Sequence, residues 1–346
     1  MKILLVQTSF LGDTILSTPV IAGLKKIYSQ AEIWMMTTSL SKQLVSSDPM
    51  LSGVITYDKS KSENGLKGMW DKAKEIKAHN FDVVYSLHKS YRTALVLWLS
   101  GIAQRVGFKQ AKLSLLYTRR VNKDTTSHDV LRNLSLLKDE KDFVDSGLTL
   151  ENFFQTDLRL FTKDEDSVRQ KFSEIYSLNK PIAVLVPGSA WKTKMWDWKG
   201  YSETAQYLSA KGYVVLLLGA PDEQEICARV AAHGPAVNLA GQTSIPESMA
   251  IIKSSALVVC NDSMSLHLAS AFKIPNVAIF CATSPAFGFG PWKNKFSIVE
   301  KEGLPCKPCR RHGSNVCPTG TEACMKDLPS EKVNNAISAL VSIGHN

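Results

Sequence analysis

No run of apolar residues in this 346-residue chain approaches the roughly 18 needed to cross a bilayer. The longest cluster, "TALVLWLSGI" at 93–102, is too short. Met1 and Lys2 lead straight into a strand-like run with no small-residue cleavage site, so a secretory leader is not expected and the cytosol is. Lysines and arginines are spread along the chain without forming a block. No aromatic RNA-binding signature accompanies them, which sets nucleic acid aside as a partner. No strand-like segment is followed by G-x-G-x-x-G, which argues against a standard NAD site and an oxidoreductase, and G-x-x-x-x-G-K-[ST] is missing as well. What the chain does have is a formal charge of +9. That excess favours acidic partners such as anionic lipid headgroups or phosphorylated substrates. Its length suggests two domains, each able to bury its own core.

The first half alternates strand and helix. "KILLVQT", "AEIWMMTT", "LSGVITYD", "FDVVYSL" and "QRVGF" read as strands. "DTILSTPVIAGLKKIYSQ", "GMWDKAKEIKAHN", "YRTALVLWLSGI" and "SHDVLRNLSLLKDE" read as helices. Residues 144–180 are polar and irregular, with one expected helix, "KDEDSVRQKFSEIYSL", and the domain boundary falls there. A second series follows. Its strands are "PIAVLVPG", "YVVLLLGA", "ALVVCND" and "IPNVAIF". Its helices are "KGYSETAQYLSAKG", "DEQEICARVAAHG", "IPESMAIIKSS" and "SLHLASAFK", and "SEKVNNAISALVSIG" is a terminal amphipathic helix. This order predicts an α/β protein with parallel sheets covered by helices. The expected division is 1–160, 161–330, and a last helix at 331–346 that packs back on the N-terminal domain. Ligands of such sheets bind at the carboxyl ends of strands, so the informative loops are 8–14, 186–196, 219–225 and 260–267.

Each loop has a functional and a plain reading. "TSFLGDT" sets Gly12 and Asp13 at a strand–helix junction, where a phosphate cradle is common but a carboxylate would repel phosphate; the plain reading of Asp13 is an N-cap. "VPGSAWKTKMWDW" turns at Pro187 and Gly188, then offers Ser189, Lys192, Thr193 and Lys194 as donors; otherwise it is a solvated basic loop. In "CNDSMSLHLASA", Asp262 and Ser263 precede a helix whose first N–H groups suit an anion, and His267 lies one turn in. The plain reading there is an N-cap and a core histidine. Glu223 in "GAPDEQE" suits ribose hydroxyls or merely the helix dipole. Lys89 and Arg92 in "SLHKSYRTA", with Arg119 and Arg120 in "LYTRRV", form either an anionic-acceptor surface or ordinary surface charge. Of seven cysteines, Cys227, Cys260 and Cys281 read as buried fillers. Cys306, Cys309, Cys317 and Cys324 form either a structural zinc set or a loop cluster.

Together these motifs resemble the family 9 glycosyltransferases, the ADP-heptose:lipopolysaccharide heptosyltransferases, and especially heptosyltransferase II-like members. The matching text runs from "ILLVQTSFLGDTILSTPVIAGLKK" through "FDVVYSLHKSYRTALVLWLSG", "RVGF", "HDVLRNLSLL", "LVPGSAWKTKMW", "LLLGAPDE", "LAGQTSI" and "VVCNDSMSLHLASA" to the late cysteines. The resemblance implies a GT-B fold, two Rossmann-like domains whose parallel sheets face an interdomain cleft. It also implies an inverting transfer with no cofactor required for catalysis. Asp13 becomes the general base. Lys194, Thr193, Ser189, Glu223, Thr243, Asp262, Ser263, Met264 and His267 become donor-binding. Gly12, Lys89, Arg92, Arg119 and Arg120 fall on the acceptor side. The implied partners are ADP-heptose and a phosphorylated lipopolysaccharide core. The implied location is cytoplasmic, with peripheral contact at the cytoplasmic face of the inner membrane. One departure stands out: Met264 replaces the family's usual glycine, putting bulk beside the expected phosphate. A transferase for another nucleotide sugar, an epimerase on the same fold and a non-catalytic nucleotide-sugar binder are the competing readings.

Overall fold

The computed structural model describes residues 1–59, 63 and 65–342. The chain divides into two compact units, Met1–Phe161 and Thr162–Asn346. In the first unit the strands are β1 (Lys2–Val6), β2 (Glu32–Thr37), β3 (Leu51–Thr56), β4 (Val83–Ser86), β5 (Gln104–Phe108) and β6 (Arg119–Val121). Its helices are α1 (Leu11–Ile27), α2 (Ser39–Val45), α3 (Gly65–Ala78), α4 (Tyr91–Leu99), α5 (Asp129–Leu134), α6 (Lys141–Ser146) and α7 (Leu150–Phe153). In the second unit the strands are β7 (Ile182–Val186), β8 (Val214–Leu217), β9 (Val237–Asn238), β10 (Leu257–Asn261), β11 (Asn276–Phe280) and β12 (Phe296–Glu300). Its helices are α8 (Glu165–Lys171), α9 (Ser173–Tyr176), α10 (Trp198–Ala210), α11 (Gln224–His233), α12 (Ile245–Lys253), α13 (Met264–Ala271), α14 (Ala323–Lys326) and α15 (Ser330–Ser342).

Each unit holds a six-stranded sheet, in the orders β3-β2-β1-β4-β5-β6 and β12-β11-β10-β7-β8-β9. Every pairing is parallel. The central strands β7, β10 and β11 are buried at every residue. That is why they read as unbroken apolar runs rather than as alternation. Both sheets reverse direction of growth once, between β1 and β4 and between β7 and β10. Side chains that follow those strands therefore meet at the two switch points.

Helix α1 shows how local sequence positions the first of them. It begins at Leu11, with Phe10 as N-cap, so Gly12 lies inside the first helical turn and is not a turn glycine. Pro19 within the helix has no N–H for the Ile15 carbonyl. The Thr18 hydroxyl donates to that oxygen at 2.7 Å and makes good the loss. Helix α1 then buries a continuous stretch from Thr14 to Leu24 against the sheet.

Several elements differ from expectation. The short strands β6, β9 and β12 and the helix α2 carry little periodic signal. The expected helix over 127–140 shortens to α5 followed by a 3-10 turn, Ser135–Leu137. The one expected over 163–178 breaks at Phe172 into α8 and α9. The terminal helix packs on α10, β11 and β12. Its Val333, Ile337 and Leu340, at the i, i+4, i+7 spacing of one helix face, join the core of the second unit; residues 343–346 lie outside the described residues. Cys227, Cys260 and Cys281 are fully buried in that unit. No helix among the described residues is long and apolar enough to cross a membrane.

Candidate functional site

The switch point of the second unit gathers most of the expected donor residues. After β7 the chain turns at Pro187 and Gly188, runs through a 3-10 turn, Lys192–Lys194, and dives inward at Trp196. Asn261, at the end of β10 and fully buried, holds this loop from the neighbouring strand. Its Nδ2 donates to the Pro187 carbonyl at 2.8 Å, and its Oδ1 accepts from the Trp196 N–H at 3.0 Å. The loop is thereby registered against the next residue, Asp262. Lys194 Nζ lies 2.7 Å from Asp262 Oδ2, with both side chains mostly buried. The same oxygen accepts from the Thr283 hydroxyl at 2.8 Å. An ammonium fixed by a buried carboxylate at a strand edge is an oriented positive charge.

Around that pair, Ser263 is the N-cap of α13 in extended conformation, and no side chain caps the helix. The Ser263 Oγ is buried with no hydrogen-bond partner among the described residues. A buried unpaired hydroxyl beside first-turn N–H groups has unmet capacity for an anion. His267 is buried one turn further in. Met264 is the first residue of α13 and is not among the positive-φ positions, so its backbone does not require glycine. On the other side of β7, Glu223 closes a 3-10 turn, Pro221–Glu223, and its Oε2 accepts from the Ala220 N–H at 2.8 Å. Burial raises its carboxyl above the usual range. A Cβ on Gly188 would fall 2.1 Å from Glu223 Cδ, so Gly188 is glycine to let the carboxylate lie against the loop. Thr243 pairs with the Ser248 hydroxyl at 2.8 Å, just ahead of α12. Ser189 is half-buried and Lys192 exposed on the same loop.

The cysteine-rich segment has a role that its spacing does not reveal: it braces the lysine loop. Thr193 N–H and Oγ1 both donate to the Ser314 carbonyl, at 3.0 and 2.9 Å, and Ser314 N–H donates back to Thr193 Oγ1 at 2.8 Å. Cys309 N–H donates to the Ala282 carbonyl at 2.9 Å. Gly313, at positive φ, fits where a Cβ would come within 3.0 Å of the Lys194 Cγ. His312 is held below its usual pKa by burial, with Arg311 and Lys194 adding to the effect. Arg311, His312 and Thr283 thus belong to this neighbourhood; the first two have only the basic run "RRH" between cysteines as a sequence signal, and Thr283 has none. The four cysteines are free. Cys324 is turned into the core. Cys317 sits at a surface turn, 3.3 Å from the Thr319 hydroxyl, which with nearby backbone N–H groups lowers its thiol to about 7. No three His, Cys, Asp or Glu side chains among the described residues gather to hold a metal ion.

In the first unit, Asp13 is the third residue of α1 and half-buried. It does not cap the helix from the N-cap position. Its Oδ2 instead accepts from the Phe10 N–H at 3.3 Å, the backward half of a capping box. At the β1/β4 switch point, Thr8 Oγ1 is 3.1 Å from His88 Nδ1. Lys59 Nζ reaches both, at 2.6 and 2.9 Å, and Thr93 Oγ1 lies 2.9 Å from the same ring nitrogen. Arg92 donates to the Lys59 carbonyl at 3.0 Å; Lys89 is exposed. Burial, then Lys59, push His88 down to about 3, so the ring is neutral. Burial, then Arg92, lower Lys59 to about 7. Lys59 lies in no motif, and His88 sits inside "SLHKSYRTA" but was passed over there for the cations Lys89 and Arg92.

Arg119 is committed elsewhere. Its guanidinium pairs with buried Glu140 and lies by Tyr85. Glu140 also accepts from Tyr28 at 2.6 Å and from Tyr85 at 2.7 Å. Tyr28 is the C-cap of α1, about 20 Å of helix away from Asp13. The charge of Arg119 is therefore paired with Glu140 near the C-terminal end of α1. Arg120, the next residue on β6, is exposed.

The low pKa of Lys59 has a measurable consequence. Unfolded, its ammonium titrates near 10.5; folded, near 7. Between those values the unfolded chain binds more protons, so this residue makes stability rise with pH across that window and penalises the fold most fully below it. Lys59→Met is expected to raise Tm at pH 6 and to flatten the rise between pH 7 and 10. Calorimetry in a pH series reads both, and an unchanged pH slope would contradict the buried-ammonium account.

The two units, each with a Rossmann order of strands and charged groups at its switch point, define the class: a two-domain α/β protein built from two Rossmann-type sheets. The sequence model described as glycosyltransferase family 9 (heptosyltransferase) matches residues 69–318, and the chain belongs to that family. Among curated relatives, it is 26% identical to the lipooligosaccharide heptosyltransferase 2 of Haemophilus ducreyi over 83% of this chain and 85% of the relative. It is 28% identical to the lipopolysaccharide heptosyltransferase 3 of Escherichia coli over 81% and 82%. The ADP-heptose lipopolysaccharide heptosyltransferase II structure of E. coli matches all of both chains with a TM-score of 0.81 at 23% identity. A family 9 glycosyl transferase structure from Veillonella parvula covers 99% of this chain and 97% of its own with a TM-score of 0.84 at 22% identity. These structural matches bear out the expected fold, and the family makes the protein a transferase.

Proposed function

We propose that this protein transfers a heptose from ADP-heptose to the inner core of a lipopolysaccharide acceptor, with inversion at the anomeric carbon and Asp13 as general base. The observation that carries the reading is the family match together with curated relatives that are heptosyltransferases over more than four-fifths of the chain. The residues supply fitting chemistry. Lys194, oriented by Asp262, and the uncapped start of α13 at Ser263 suit the growing negative charge of a departing diphosphate. Glu223 and Thr243 suit the nucleoside, and Asp13 takes the acceptor hydroxyl proton as its oxygen attacks. One carboxylate on the acceptor side suffices for direct displacement, unlike the paired acids of glycosidases. Arg92 and Lys89, at the β4 end, recognise the anionic acceptor. The protein works in the cytoplasm and meets its lipid-linked acceptor at the membrane surface.

Incubation with ADP-heptose and truncated lipopolysaccharide acceptors, read by mass spectrometry, tests the reading. A heptose-sized mass gain on the acceptor is expected. Transfer only from another nucleotide sugar would replace the donor, and binding of ADP-heptose without transfer to any core acceptor would refute the assignment.

A further inference from the structure

Large exposed apolar side chains concentrate on one face of the first unit. Helices α3 and α4 pack side by side, and α4 packs on the 3-10 turn Ser114–Leu116. Helices α3 and α4 bury their inner residues in the same core cluster on one side of the sheet, and Leu116 of the turn packs half-buried against it. Their outer stripes therefore point the same way. On α3 that stripe is Leu66, Trp70, Lys74 and Lys77, at helical spacing, with Leu66 78% exposed and Trp70 half-exposed. On α4, Tyr91 and Trp98 are half-exposed. The turn adds Leu113, with Leu115 at 81% exposure.

The charge around this apolar surface is predominantly positive. Lys67, Lys74 and Lys77 on α3 are exposed, as are Lys109 and Lys112 before the turn. Lys74 Nζ lies 5.6 Å from the Trp70 ring centroid. The exposed acids of α3 are Asp71 and Glu75, and Glu75 is paired with Lys72 at 2.5 Å. Tryptophan and leucine ringed by lysine match the boundary between acyl chains and anionic headgroups. The surface also borders the acceptor side of the first unit. Lys112 N–H donates to the Lys89 carbonyl at 3.0 Å, and Tyr91 adjoins Arg92.

We propose that the outer face of α3, α4 and the turn at 112–116 docks this protein on a bilayer containing anionic phospholipid. The face would bring the loops bearing Lys89 and Arg92 to the headgroup plane, where a lipid-linked acceptor presents its sugars. The purpose of docking rests on the acceptor reading above; the docking itself does not. Each lysine near such a surface strengthens binding about fivefold, and the apolar side chains make the attachment outlast moderate salt, which screens the lysines.

Co-sedimentation of the full chain with vesicles of phosphatidylethanolamine and phosphatidylglycerol, against phosphatidylcholine alone, tests this. The wild type should sediment with the anionic vesicles and not with the neutral ones. Lys67→Gln, Lys74→Gln and Lys77→Gln together should lower partition on the order of 10²-fold. Trp70→Ser with Leu115→Ser should lower it at least about tenfold. All of these residues are exposed, and both variants should keep wild-type turnover on a short soluble acceptor, which certifies their fold. A wild type that ignores anionic vesicles, or variants that sediment as it does, would overturn the proposal. A chain that sediments as expected yet transfers no heptose keeps this surface and loses the function above. One that turns over soluble acceptor without sedimenting loses this surface alone.

Discussion

Asp13→Asn lowers kcat by roughly 10²- to 10⁴-fold, the usual worth of a general base, and leaves donor affinity as it was. Two roles compete for this side chain, and the structure separates them more cleanly than the sequence does. Asp13 is not the N-cap; that position is Phe10, which has no side-chain acceptor. Asp13 instead reaches back to the Phe10 N–H. An asparagine at the same position retains a carbonyl oxygen for that bond and gives up only charge and basicity. Stability should therefore change by a few tenths of a kcal/mol to about 1 kcal/mol, from the lost charge–dipole interaction. Turnover should fall by the full catalytic factor. Stopped-assay kinetics with saturating donor, donor titration by calorimetry and a thermal melt together distinguish the outcomes. A variant with near-wild-type turnover would remove Asp13 from the chemistry and leave it a helix-start residue. A variant whose Tm collapses would make the helix-start role the dominant one.

The same comparison shows what a sequence can and cannot carry. The central strands were legible because burial on both faces leaves unbroken apolar runs, as in "IAVLV" and "LVVCN". The edge strands β6 and β9 were not, since three and two residues cannot express a period of two. Candidate site residues were legible where a strand ends in a turn: Asp13, Lys194, Glu223, Asp262 and Ser263. Their relations were not. Lys194 and Asp262 each read as a separate donor contact, yet they pair with each other. That pairing follows from β7 and β10 being neighbours across the switch point, a property of strand order. The brace between Thr193 and Ser314 spans 121 positions, and nothing local in either segment announces it. Arg119 and Arg120 show the same limit on one strand. Two adjacent arginines read as one charged surface, but alternation along β6 sends Arg119 inward to Glu140 and Arg120 outward.

That hidden pairing sets the second large effect. Lys194→Ala should reduce kcat/KM for the donor by about 10²- to 10³-fold, the range for removing one preorganised group that meets developing charge. Part of the loss is not the missing ammonium itself. Asp262 stays behind, buried, with the Thr283 hydroxyl still donating to it, and it then presents an uncompensated carboxylate to an incoming diphosphate. Adding Asp262→Asn to Lys194→Ala removes that stranded charge while an amide can still bond Thr283. The double variant should thus bind donor more tightly than Lys194→Ala alone and melt at a higher temperature, a non-additivity expected of two residues in direct contact. Asp262→Asn alone should weaken turnover less than Lys194→Ala, because Lys194 keeps its charge and loses only its orientation. Lys194→Arg should not rescue fully, since a planar guanidinium cannot reproduce a compact ammonium 2.7 Å from one carboxylate oxygen. Donor kinetics unchanged in Lys194→Ala would make the loop a surface feature. Strict additivity in the double variant would mean that the pair does not act as one electrostatic unit.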